Sequence, residues 1–177
     1  HWLIWEDGQL RTQPYWDVPL PAEATSCLDE DTLIRQFTDL FEESVQMRLM
    51  SDVPLGVFLS GGLDSSAIAA IMAKQMNDPL MTFSVGFESQ YYSEFDYARE
   101  VARTIGADHH EVELGAADLI RSIPMLVWHE DKPIRNASSV ALYHVARLAQ
   151  DHVKVVLTGE GSDELFAGYS RYWATLF

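Results

Sequence analysis

The sequence predicts an α/β domain, a parallel sheet with helices on both faces. Two observations carry that expectation. Short apolar runs at residues 54–59, 80–87, 109–114 and 153–157 alternate with helical stretches, the pattern of strands joined by crossover helices. The chain of 177 residues, 47% hydrophobic and 22% charged, has the size and balance of one compact domain with a short appendage.

The elements follow in order. Residues 1–16 read as a β-hairpin, with Trp2–Trp5 and Gln9–Gln13 flanking Glu6-Asp7-Gly8, since Asp-Gly favours tight turns. Residues 17–30, with Pro19 and Pro21, read as a linker. From Asp31 or Thr32 to Met50 a helix is expected, with Leu33, Phe37, Leu40, Phe41 and Val45 on its apolar face. Strand 54–59 precedes helix 67–76, and strand 80–87 precedes helix 93–105. Strand 109–114 leads to helices 116–128 and 138–150, the first interrupted or kinked at Pro124. The β-branched run Val153–Leu157 closes the series. His109 and His110, adjacent on a strand, face opposite sides and suit structural roles.

Charge and composition exclude several classes. Twelve basic residues against 27 acidic ones give a net charge of −15, which repels phosphate backbones and anionic lipid. No nucleic-acid or membrane partner is expected; one small polyanion bound with a divalent metal is compatible. The single cysteine, Cys27, forms no intramolecular disulfide. No apolar run approaches the roughly 20 residues that span a bilayer, and a cytoplasmic location is the expectation. The chain starts at His1 and is expected to be an internal fragment. Its oligomeric state, a homo-oligomer included, is left open.

Ligands of such sheets gather beyond the carboxyl ends of the strands, where two loops stand out. Ser60-Gly61-Gly62-Leu63-Asp64-Ser65-Ser66 combines a bendable backbone, three hydroxyls and a helix N-terminus, which together make an anion cradle. Asp64 would repel phosphate unless Mg²⁺ lay between them, or it caps the helix. Thr158-Gly159-Glu160-Gly161-Ser162-Asp163-Glu164 adds carboxylates at the same sheet edge. Asp163 is the candidate to share a metal with Asp64, and Glu160 to face a substrate; the alternative is a solvated acidic loop. Neither G-x-x-x-x-G-K-[ST] nor a post-strand G-x-G-x-x-G is present.

The first loop resembles the S-G-G-x-D-S-S signature of the ATP-pyrophosphatase (PP-loop) superfamily. Together with Pro54-Leu55-Gly56-Val57, Phe83-Ser84-Val85-Gly86-Phe87 and the run Gly159–Tyr169, it resembles the glutamine-hydrolysing asparagine synthetase family, in its C-terminal synthetase domain. The resemblance implies an adenine nucleotide alpha hydrolase-like, Rossmann-like fold over residues 31–177, incomplete at the C-terminus. Residues 1–16 would be the tail of a missing N-terminal glutaminase domain.

The activity implied is ATP-dependent adenylation of the aspartate side-chain carboxylate, release of pyrophosphate, and displacement of AMP by ammonia derived from glutamine. By the same resemblance Ser60, Gly61, Gly62, Leu63, Asp64, Ser65 and Ser66 form the pyrophosphate loop. Leu59, Val85, Gly86, Thr158 and Gly159 would border the nucleotide, with Asp64 and Asp163 on Mg²⁺. Glu160 would be tied to forming the aspartyl adenylate, and Arg135 would meet a substrate carboxylate. The family's nucleophilic N-terminal cysteine and its C-terminal lysine have no counterpart here, so little turnover is expected of this segment alone. Related ligases acting on other carboxylates, as β-lactam synthetases do, a tRNA-modifying PP-loop enzyme and a non-catalytic nucleotide-binding module are the alternatives.

Overall fold

The computed structural model describes residues 1–18, 29–88, 94–134 and 138–175, which form two compact units, 1–37 and 38–177. The first contains the hairpin β1 (Trp2–Glu6) and β2 (Gln9–Gln13), paired antiparallel with Glu6 opposite Gln9. Asp7 and Gly8 take φ of 50° and 75°, the double left-handed turn that matches strand twist. Arg11 Nη2 donates to Glu6 Oε2 across the hairpin at 2.9 Å.

Helix α1 (Glu30–Gln46) begins where Asp29 accepts from the Thr32 amide at 2.9 Å and its hydroxyl at 2.8 Å, an N-cap bond. Those bonds hold the Asp29 carboxyl below its usual pKa. The helix stops short of the expected Met50, because Arg48 and Leu49 donate to carbonyls only three residues back, tightening the last turn. Its expected apolar face is covered only in part. Leu33, Phe37 and Leu40 are exposed within this chain and only Val45 is buried, since the sheet's core meets α1 at Val45, with Phe41 against it.

The sheet contains β3 (Leu55–Phe58), β4 (Met81–Phe87), β5 (Asp108–Leu114) and β6 (Val155–Leu157), all parallel, in the order β5-β4-β3-β6. Helices α2 (Leu63–Gln75) and α3 (Phe95–Ile105) connect β3 to β4 and β4 to β5. Helices α4 (Ala116–Glu130) and α5 (Ser138–Ala149) then bring the chain back to β6, on the far side of β3. On one face Val57 and Leu59 pack with Ile68, Met72, Ala98 and Ala102 of α2 and α3; on the other, Phe83 packs with Val145, Ala149 and Val153. The sheet is thus covered on both sides, as its continuous apolar strands require.

Two further expectations change. Helix α2 starts at Leu63 rather than residue 67, so Asp64, Ser65 and Ser66 belong to its first turn. Helix α4 runs unbroken through Pro124. The proline leaves the Ile120 carbonyl without its helical donor, and Ile120 is 68% exposed, so water can supply that bond. Among the described residues no helix is long and apolar enough to cross a membrane.

The two histidines do face opposite ways. His110 stacks on Phe83 with ring centroids 5.4 Å apart. On the other face, His109 Nδ1 lies 2.7 Å from the buried Thr82 hydroxyl and Nε2 lies 3.0 Å from Glu111 Oε1. With neutral imidazole, Nε2–H donates to the carboxylate and Nδ1 accepts from Thr82. Burial pushes His109 below its usual 6.5, against the opposing pull of Glu111. Burial raises Glu111, but the Arg99 hydrogen bonds and charge outweigh it and leave the carboxyl below its usual value.

A histidine whose folded pKa is depressed contributes stability that is complete above the unfolded value and is lost as pH falls below it. The urea midpoint of the full-length protein should therefore decline from about pH 7 to about pH 5.5, and His109→Gln should flatten that decline. An identical pH profile in the variant would show that His109 does not titrate on unfolding in this range.

Candidate active site

The site begins with strand order. Strand β3 is bonded to β4 on one side and β6 on the other, and the two connections run on opposite faces, so a crevice opens beyond the carboxyl ends of β3 and β6. Residues 59–62 leave β3 and residues 158–161 leave β6 at that place.

The first loop is internally braced. The Leu59 amide donates to the Phe83 carbonyl at 2.9 Å, and the Leu59 carbonyl accepts from the buried Ser84 hydroxyl. The Ser65 hydroxyl accepts from the Ser60 amide at 3.2 Å, lies 3.0 Å from Ser60 Oγ and donates to the Gly62 carbonyl at 3.3 Å. Gly61 has φ of 82°, a conformation other residues resist.

Gly62 is the N-cap of α2 and brings no side chain to the helix's first amides. Those amides are left for another acceptor. Asp64 lies within the first turn of α2 and is not its N-cap. Among the described residues the buried Ser66 hydroxyl oxygen has no hydrogen-bond partner, and a buried hydroxyl calls for one.

The second loop lies directly against the first. A Cβ placed on Gly159 would come 3.1 Å from Asp64 Cβ and 3.4 Å from the Ser65 amide nitrogen, so only a residue without a side chain allows this approach comfortably. Glu160 and Thr158 are exposed, and Asp163 is partly buried in the short helix α6 (Ser162–Phe166). The Gly168 amide donates to the Asp163 carbonyl at 3.1 Å. Tyr169 donates to Glu164 Oε1 at 2.5 Å, which pushes the phenol up to about 12 and holds Glu164 below its usual value. The Arg171 guanidinium sits 4.2 Å above the Tyr169 ring.

The structure therefore joins Ser60–Ser66 to Gly159, and Leu59 to the β4 segment that leads into Val85 and Gly86. Arg135, Cys27 and Tyr91-Tyr92 lie outside the described residues. Among the described residues, no cluster of three or more His, Cys, Asp or Glu is placed to hold a metal. Asp64 and Asp163, the carboxylates expected on Mg²⁺, stand in the first turn of α2 and in α6; with only two protein carboxylates, oxygens of phosphate and water would have to complete a six-fold shell. The uncapped α2 amides, the unpartnered Ser66 hydroxyl and the side-chain-free Gly61, Gly62 and Gly159 fit a phosphate chain.

Sequence reasoning missed Ser84, which fixes the Leu59 carbonyl, and the aromatic neighbours of the site glycines. Their only signal was a serine inside an apolar strand and glycines at strand ends.

Comparison with known proteins follows this geometry. The family model described as asparagine synthase matches residues 36–177. The chain is 40% identical over 166 residues to "Asparagine synthetase [glutamine-hydrolyzing] 1" of Bacillus subtilis, covering 94% of this chain and 26% of that protein. It is 32% identical to amidase chyE of Penicillium rubens, covering 99% of this chain and 29% of that one. The solved structure of NMN synthetase from Francisella tularensis superposes with a TM-score of 0.51 at 16% identity, covering 80% of this chain and 59% of that chain, a likeness of fold alone. The chain spans about a quarter of the length of the Bacillus relative.

Gly61→Ala should destabilise the full-length protein by about 2–6 kcal/mol, the cost of a side chain in left-handed backbone together with its overlap with the Tyr97–Ala98 backbone. Equilibrium urea unfolding checks it, and an unchanged midpoint would mean that the loop adopts another conformation at no cost.

Proposed function

We propose that this chain, which belongs to the asparagine synthase family, is the nucleotide-activating part of an amide-forming ligase that uses ATP to activate the side-chain carboxylate of aspartate. The observation that carries this reading is the contact of the two strand-end loops, Gly159 against Asp64 and Ser65, at the sheet's switch point.

In this reading attack occurs at the α-phosphorus, so the protein must hold a leaving diphosphate. The α2 amides are donors fixed before reaction, and preorganised donors stabilise charge as it develops; the Ser60, Ser65 and Ser66 hydroxyls would complete the cradle, Ser65 by turning its proton from the Gly62 carbonyl. Leu59, Val85, Gly86 and Thr158 border the nucleoside. Bound Mg²⁺, held by Asp64 and Asp163, would neutralise charge on the diphosphate. Glu160 stands exposed between Gly159 and Gly161, free to orient the amino group of aspartate or take a proton when ammonia attacks. Arg135 is proposed to meet a substrate carboxylate.

Residues 1–16 belong, in this proposal, to a neighbouring glutaminase domain that supplies ammonia. In support, the family model starts at residue 36 while the Bacillus relative aligns over 94% of the chain. A two-stranded hairpin is also marginal alone and needs a larger partner sheet. A cytoplasmic setting agrees with a single cysteine.

The second reading, activation of a different carboxylate, is favoured by the similarity to the Penicillium amidase over nearly the whole chain. The loops handle phosphate and metal in either case.

The longest native chain containing these residues should release pyrophosphate from MgATP and ammonium only when aspartate is added. Glu160→Gln should lower that rate roughly a hundredfold or more, the scale of lost acid–base assistance, while MgATP still binds. Release indifferent to aspartate would select the second reading; undiminished release by Glu160→Gln would remove that residue from the chemistry.

A further inference from the structure

Two separate stretches assigned to the nucleotide close on the same few residues. A Cβ on Gly61, in the phosphate loop, would lie 2.5 Å from Tyr97 Cβ and 2.6 Å from the Ala98 nitrogen. At Gly86, on the proposed nucleoside side, a Cβ would enter the Phe95 ring, 2.5 Å from Cζ and 2.8 Å from Cδ2. Both are true overlaps, closer than any unstrained carbon contact. Residues 95, 97 and 98 all lie in the first turn of α3, so one helical turn abuts both halves of the site.

That turn is fixed from behind. Phe95 and Ala98 are buried. The Arg99 guanidinium lies 5.1 Å over the Phe95 ring. Its Nε and Nη2 donate to the two oxygens of Glu111 on β5, at 2.8 and 2.7 Å. A planar fork bonded twice to one carboxylate fixes direction as well as distance. Glu111 in turn accepts from His109, and His109 from Thr82 of β4. The turn is thereby tied, through Thr82, to β4, the strand that also carries Gly86.

We propose that the first turn of α3 is the shared wall of the nucleotide site, with Phe95 and the Tyr97–Ala98 backbone setting the separation between the phosphate loop at Gly61 and the strand end at Gly86. Phe95 is a positioning residue, acting through Gly86, and the proposal rests on the nucleotide reading of both loops. If the packing were only core filling, perturbing it would lower stability and leave nucleotide affinity alone.

The test uses full-length protein, with MgATP affinity by calorimetry, steady-state kinetics and ligand-free thermal stability. Gly86→Ala should raise the MgATP Kd and KM about tenfold, the scale of one overpacked contact, with kcat changed far less. Phe95→Leu removes the ring Cε and Cζ atoms, the ones nearest the new methyl. Combined with Gly86→Ala it should restore most of the lost affinity, a coupling that independent sites do not show.

Phe95→Leu alone leaves the wall loose and should weaken MgATP roughly threefold; this variant decides the matter if Gly86→Ala does not fold. Lowered stability with unaltered MgATP affinity, or a double variant no better than Gly86→Ala, would overturn the wall. Wild-type protein that binds no MgATP would instead overturn the nucleotide reading, and the wall would fall with it.

Discussion

Everything at the site depends on β3 being hydrogen-bonded between two parallel neighbours that the chain reaches in opposite directions. The connections to β4 and to β6 cover different faces and so diverge at the ends of β3 and β6. A crevice is the geometric remainder of that winding. The backbone groups that would otherwise pair across it are satisfied within the loop. The Ser65 and Ser84 hydroxyls do this at Ser60, Gly62 and Leu59.

Within that crevice, removal of side chains achieves more than their addition. Gly62 leaves the α2 amides uncapped, and Gly159 permits the second loop to touch Asp64 and Ser65. Gly61 and Gly86 admit the first turn of α3. Each of these costs conformational entropy on folding, and the tightly packed sheet beneath holds them in place. An anion-binding surface needs bare donors at close range, and bulky or self-capping residues would occupy that space.

The sheet and its two strand-end loops were legible in the sequence because they rest on local patterns. Four apolar runs gave four strands, and the glycine, serine and acidic residues marked both loops. The existence of α1 was legible and its burial was not, since periodicity reports which side is apolar and not whether anything covers it; Leu40 is 66% exposed. Whether Pro124 breaks the helix was not legible, because a proline's cost depends on whether the abandoned carbonyl meets water, which sequence does not state. The approach of Phe95 to Gly86 and of Tyr97 to Gly61 is a tertiary fact, with nothing in either segment alone to announce it. Arg135 remains an expectation, since it lies outside the described residues.

The pairing of β3 with β6 joins Leu55 to Val155, about a hundred residues apart in the chain. On a ribosome adding about 5–20 residues per second, β3 therefore waits roughly 5–20 s with one side unpaired. Its partner β4, and β5 beyond it, emerge sooner, so the nascent sheet has β3 as an open edge, and open apolar edges invite pairing with foreign strands. The same late strand that creates the crevice thus sets the interval in which the growing chain is open to mispairing.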